Sequence, residues 1–166
     1  MPSSRREASE AAGETRELAR DECLRLLAEH SFGRLAVSAG DGAPVIRPVN
    51  YSFDDASKSV VFRTSAGSKF HALVRAAHAA FEIDGVDEGA GTGWSVIISG
   101  VAEEVTQGSE IRRLDALRLQ SWAPGEKPRW LRIRAWTVSG RRVVLPERAP
   151  RGADPTRGDP PQPAGR

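Results

Sequence analysis

The sequence predicts a mainly β fold with helices, of the α+β class, in which about six antiparallel strands close into a small barrel. Three observations lead there. Segments such as GRLAVS, AAFEID and WSVIISGVAEEV alternate apolar and polar side chains, the period of a strand covered on one face. The connections between successive strands are short, which implies antiparallel pairing. The regular strand–helix alternation of a doubly wound parallel sheet is missing, and closing the sheet removes exposed edges.

The elements follow in order. Cys23, Leu24 and Leu27 fall at helical spacing, so a short helix is expected over roughly Asp21 to Glu29, with Asp21 placed to cap it. Gly33 starts the strand GRLAVS, which stops at the Gly/Asp turn AGDG. A second strand is expected from Ala43 to Phe53. Asp54, Asp55 and Ser57 supply the turn into a third, SVVFRT, and the two form a hairpin. Phe70, Leu73, Val74 and Ala77 then recur at i, i+3, i+4 and i+7, a helix face. AAFEID is another strand, and a Gly-rich link from Gly85 to Gly93 leads into the long strand WSVIISGVAEEV. Ser109 is read as the cap of a further helix with Ile111, Leu114 and Leu117 on one side. The polar loop SWAPGEKPR precedes a last strand from Trp130 to Leu145, broken by a bend at Ser139–Gly140.

A chain of 166 residues, 39% hydrophobic with four Trp and five Phe, fits one domain with a real core. Residues 1–15 are expected to be a disordered extension. Residues 146–166, with six Pro and almost no large apolar side chain, are expected to be a disordered tail, which leaves 16–145 as the folded unit. The single Cys excludes an intramolecular disulfide framework. No run approaches the roughly 18 to 20 apolar residues of a bilayer span, and the start lacks the apolar stretch of a secretory signal, so a cytoplasmic protein is expected.

Charge narrows the partners. The net charge is +2, and residues 1–15 and 146–166 contribute −1 and +1, so no clustered basic face stands out despite a pI near 9.1. Neither nucleic acid nor membrane is an expected partner. His30, His71 and His78 lack metal-site spacing and no acidic cluster joins them, so no metal is expected. Neither GxSxG nor a Walker loop occurs, and GAGTGW precedes a strand, not the helix that a dinucleotide fingerprint requires.

The most informative stretch runs from Arg63 to Lys69. It leaves a strand, turns through Gly67 and opens a helix, whose first amides have no intrahelical partner and carry partial positive charge. A phosphate is stabilised there, and Thr64, Ser65 and Ser68 add hydroxyl donors while Arg63 and Lys69 add charge. An ordinary Ser-capped helix has the same residues. His71 lies close enough in sequence to donate to a ligand, or to be structural. Pro48, within Arg47-Pro48-Val49-Asn50-Tyr51, cannot donate to a ladder and belongs at an edge or bulge. Asn50 offers a donor and an acceptor, as the heteroatom edge of a flavin ring requires. Trp94 and Ser95 open the long strand; Trp94 is either a cover for a planar ring or a core aromatic. In the last strand Leu131, Ile133 and Ala135 share the core face, whereas Trp130, Arg132, Arg134 and Trp136 share the other, a solvated basic face or a surface for a partner subunit. Cys23 lies on an apolar helix face and is expected to be buried.

In order along the chain, ECLRLLAEHSFGRLAV, APVIRPVNYSFD, VVFRTSAGSKFHAL, AAFEIDGVD, GWSVIISGVAEEVT and WLRIRAWTVSGRR resemble the pyridoxamine 5'-phosphate oxidase-like, FMN-binding split-barrel family. The resemblance covers about Asp21 to Arg142 and is strongest to short actinobacterial-type and nitroimidazole-resistance-like members. It implies a six-stranded split barrel and a two-fold homodimer with the cofactor cleft between subunits. The phosphate-holding positions match Arg63, Thr64, Ser68 and Lys69; the strand beside the isoalloxazine matches Arg47, Pro48, Val49 and Asn50; Trp94 and Ser95 fall near a polar contact on the long strand. The Gln of true oxidases is missing there, and their C-terminal Arg and Trp motif for pyridoxal phosphate is not recognisable, so that substrate is not implied. What is implied is a flavin-binding oxidoreductase moving hydride between FMN, or a deazaflavin coenzyme, and a small organic substrate. The alternative is a non-catalytic module sequestering a flavin or haem. No catalytic acid or base is assigned.

Overall fold

The period-two segments become strands in a computed structural model that describes residues 13–38, 42–65, 74, 78–119, 121–122 and 124–144. In chain order these are β1 (Glu14–Glu17), α1 (Arg20–Glu29), β2 (Phe32–Ser38), β3 (Pro44–Asn50), β4 (Ser52–Asp54), β5 (Ser59–Thr64), β6 (His78–Asp87), β7 (Thr92–Glu104), α2 (Gly108–Asp115), β8 (Arg129–Arg134) and β9 (Thr137–Val144). The strands form one nine-stranded antiparallel sheet along the path β3-β2-β6-β7-β8-β5-β4, with β9 on β7 and β1 on β9. The helix expected around Phe70 to Ala77 lies outside the described residues except for Val74, which is buried.

The two ends of that path, β3 and β4, are consecutive in the chain and separated only by Tyr51. One strand was expected from Ala43 to Phe53. The break arises because Tyr51 turns into the core: it is fully buried, its N–H donates to the Ser31 carbonyl at 2.9 Å, and its hydroxyl donates to the Leu27 carbonyl at 2.8 Å. The chain therefore crosses from one edge of a curled sheet to the other. This is the closure of a split barrel.

The last expected strand also divides, though not where expected. Its break falls at Ala135–Trp136, and Ser139–Gly140 lie inside β9. β8 pairs with β5 and with the far end of β7, whereas β9 pairs with the first half of β7. Gly140 serves close approach instead of a bend, because a Cβ there would lie 2.6 Å from the Cys23 Sγ. Two other boundaries move. β6 and β7 stay paired out to Asp87 and Thr92, so the Gly-rich link shrinks to a tight hairpin. β1 begins at Glu14, inside the segment expected to be an extension, because β9 offers it a free edge.

The helix caps also differ. α1 is preceded by Ala19 and α2 by Gln107, neither with a side-chain cap bond, so Asp21 and Ser109 sit inside their first turns. Acidic Asp21 and Glu22 still favour the α1 N-terminus electrostatically.

One core cluster joins α1 (Leu27), β2 (Leu35), β5 (Val60, Phe62), β6 (Phe81, Ile83) and β7 (Val96, Ile98) with Leu131 and Ile133 of β8. A second packs Val61 and Trp130 under Leu114 of α2. β5 is covered on both faces, which is why SVVF reads as a continuous apolar run. Trp130 and Arg132 are thus covered by their own α2 and β7, Arg134 is partly exposed beside β7, and Trp136, beyond the end of β8, is largely exposed. Arg132 donates to Glu103 at 3.0 Å and to Glu110 at 2.8 Å, and Arg134 Nε lies 3.6 Å from Glu103.

Candidate functional site

β5 delivers Arg63 to a position directly across from Trp130 of β8. The guanidinium lies over the indole, 5.1 Å from its centroid, and Nη2 is 3.9 Å from Asp115 Oδ1. Asp115 also accepts a 2.9 Å hydrogen bond from Trp130 Nε1. The Arg63 head is thereby fixed on two sides. Its Nε is buried and has no hydrogen-bond partner among the described residues. A buried donor without an acceptor forfeits about 1–3 kcal/mol of solvation, more when charged, so an acceptor placed beside this atom would recover that cost.

The closing edge of the barrel brings β3 alongside. A cavity of about 70 Å³ is lined by Pro48, Val49 and Asn50 of β3, Arg63 of β5, and Leu119, Ser121 and Lys127 of the α2–β8 connection. Pro48 sits on the unpaired edge of the sheet, as its missing N–H requires. Asn50 uses its acceptor within the protein: its Oδ1 takes the Trp122 backbone N–H at 3.0 Å. Its amide N–H groups are donors on the cavity lining. Lys127 donates to Ser121. The described lining carries two cations and no carboxylate.

Size decides what fits. A water takes about 30 Å³ and drug-sized pockets run to about 300–1,000 Å³, so about 70 Å³ has room for a small polar group such as a phosphate.

Among the expected site residues, Pro48, Val49, Asn50 and Arg63 converge on this cavity. Arg47 is exposed, and its Nη1 donates to the Ile46 carbonyl at 3.0 Å. Thr64 is buried and does not line the cavity. Ser68, Lys69 and His71 lie outside the described residues. Trp94 meets His30 edge-on at 4.9 Å and covers Gly85, where a Cβ would come within 2.6 Å of the indole. Ser95 lines a separate groove with Ile97, Ser139 and Arg141. Within one chain, neither reaches the Arg63 cavity. The sequence reading missed Leu119, Ser121, Trp122 and Lys127 by treating their segment as a solvated loop. A tryptophan and a lysine flanking an Ala-Pro-Gly turn were the available signal.

Elsewhere, Asp54 is buried at the β4–β5 turn and accepts from Arg113 and Ser57. Burial works to raise its pKa, but those hydrogen bonds and the Arg113 charge prevail and hold it below the ordinary value. Burial, with help from Asp84, raises that of Glu82 on the open sheet face against the opposing effect of Arg34. No described group of three or more His, Cys, Asp or Glu side chains could hold a metal, and no described helix is long and apolar enough to cross a membrane.

Comparison with known proteins bears on the fold and the family. Residues 19–142 match the family model described as pyridoxamine 5'-phosphate oxidase. The uncharacterized protein Rv0080 of Mycobacterium tuberculosis is 35% identical over 154 residues, covering 90% of this chain and 99% of that one. The crystal structure of a candidate pyridoxamine 5'-phosphate oxidase from Corynebacterium glutamicum superposes with a TM-score of 0.69 at 32% identity, over 81% of this chain and 96% of its own. The FAD binding protein of Mycobacterium smegmatis follows at 0.63 and 29%, over 77% and 98%. From the match over most of the folded unit and the curled antiparallel sheet closed at Tyr51, the chain belongs to the pyridoxamine 5'-phosphate oxidase-like family of split-barrel proteins.

Proposed function

We propose that this chain binds a flavin coenzyme and acts as an oxidoreductase on a small organic substrate. The observation that carries the reading is the buried Arg63 Nε, unmatched among the described residues, beside a cationic cavity on the split edge of the barrel. Arg63 and Lys127 would hold the coenzyme's phosphate, and Ser68 and Lys69 would complete the cradle from the chain that follows β5. Pro48, Val49 and the Asn50 amide would border the ring. Trp94 and Ser95 would reach a coenzyme only from a second subunit, which suits a homodimer with a shared cleft. The coenzyme supplies the hydride chemistry, and the protein supplies position and charge. FMN, FAD and a deazaflavin share the phosphate that this cavity suits, and the FAD-binding relative adds FAD to those expected from the sequence.

Support for a dimer comes from the open face of the sheet. The cross-strand registers put Phe32, Ile46, Val86, Ile97 and Val143 on that one face, each more than a third exposed. These side chains surround the Arg34–Glu82–Asp84 ion pairs of the same face, a mixture of apolar and polar surface found at subunit contacts, and a self-complementary face gives a closed two-fold pair.

A second reading has its own observation. The described lining of the cavity contains no carboxylate or imidazole to move a proton, as expected of a module that holds a flavin without turning it over. The test is direct. Ligand released from purified protein is identified by absorption and mass, and the unloaded protein is titrated with FMN, FAD and deazaflavin. Binding of none of them ends the flavin reading. Binding without reduction by NAD(P)H or reduced deazaflavin, and without turnover, selects the sequestering module.

A further inference from the structure

Trp122 is 70% exposed in the loop that roofs the Arg63 cavity. Such a side chain in a soluble loop ordinarily samples many rotamers, yet this one is held twice. Its backbone N–H donates to Asn50 Oδ1 at 3.0 Å, and its ring lies on Phe32 with centroids 5.3 Å apart and planes inclined by 12°. Phe32 opens β2 directly across from Asn50, the last residue of β3, so the pair stands at the corner of the sheet beside the cavity. One face of the indole is covered and the other is open. Its neighbour Ser121 lines the same cavity as Arg63 and Lys127.

We propose that Trp122, backed by Phe32, is a stacking platform for a planar heteroaromatic ring whose anionic tail occupies the Arg63 cavity. This rests on the flavin reading above and adds a specificity residue to it. A cavity of about 70 Å³ suits a phosphate better than a ring system, so a phosphorylated aromatic ligand would lay its ring at the mouth. Trp122 follows Ser121, a lining residue, and is hydrogen-bonded to Asn50, another, so its open indole face adds to the apolar surface that Pro48, Val49 and Leu119 give the cavity. Stacking on an aromatic side chain is sequence- and base-tolerant, because every such ring has a π-face. Both the isoalloxazine and the adenine of FAD satisfy this chemistry.

The test uses the full-length protein and its Trp122→Leu and Trp122→Phe variants, titrated with FMN, FAD and AMP. Loss of stacking is expected to weaken binding about tenfold in Trp122→Leu, with Trp122→Phe recovering most of it. Loss for FMN and FAD together places the isoalloxazine on the indole. Loss for FAD and AMP alone places adenine there. Equal affinities in all three proteins overturn the proposal while leaving the flavin reading intact. So does a Trp122→Leu protein that loses affinity only in step with dissociation to monomers by light scattering, since the indole would then serve assembly. If no flavin and no AMP binds the wild-type protein, both readings fall together.

Discussion

Arg63 and Trp130 are direct cross-strand partners whose side chains stack, guanidinium over indole at 5.1 Å. Asp115, which accepts from the Trp130 Nε1 and lies 3.9 Å from Arg63 Nη2, steadies both side chains. A cation is thus preorganised before any ligand arrives.

Replacing Arg63 with Ala should weaken flavin binding by about 1.5–3 kcal/mol, roughly ten- to a hundred-fold. Arg63→Lys should recover little, since an ammonium can neither stack on Trp130 in the same way nor reproduce the donor fork. Flavin fluorescence titration checks both, and unchanged affinity in Arg63→Ala would move the phosphate site elsewhere.

Asn50→Ala removes the acceptor that holds the Trp122 amide. About 0.5–1.5 kcal/mol of local ordering should be lost, seen as faster hydrogen exchange at the Trp122 amide with little change in global melting. Asn50→Asp should keep the amide protected but weaken binding of a phosphorylated ligand, because it sets a carboxylate beside Arg63.

Gly140→Ala places a methyl 2.6 Å from Cys23 Sγ and 3.1 Å from both Leu18 Cδ1 and the Ser95 carbonyl oxygen. Overpacking of this kind costs about 1–3 kcal/mol, which chemical denaturation would register. Adding Cys23→Ala removes the closest atom and should restore part of the loss, so the two substitutions should couple favourably in a double-mutant cycle.

Because the folded-state pKa of Asp54 is depressed, its contribution to stability is present at neutral pH and is lost as the pH falls below the ordinary value of 3.8 and through the folded one. Arg113→Ala should therefore destabilise by about 1–2 kcal/mol at pH 7, toward the low end of charged hydrogen bonds because Arg113 is partly exposed. The difference from wild type should shrink toward pH 3. Urea unfolding at both values checks it, and a penalty independent of pH would mean that the carboxylate charge is not what Arg113 stabilises.

What the sequence determined by itself is local. Alternation in β2, β6 and β7, helical spacing in α1 and α2, and the placement of Pro48 on an unpaired edge all follow from side-chain period and backbone donors, which need no partner to be read. The core membership of Leu131, Ile133 and Cys23 was legible on the same grounds. What only the tertiary structure decided is non-local. That Tyr51 ends β3, that Ala135–Trp136 divides the final strand, and that α2 covers Arg132 all depend on which strands meet across the closing barrel. The same closure joins Asn50 to Trp122 and sets Arg63 beside Lys127. Periodicity reports how a segment divides its faces between core and water. It carries no record of which distant segment supplies the cover, because that choice is made by the packing free energy of the whole sheet.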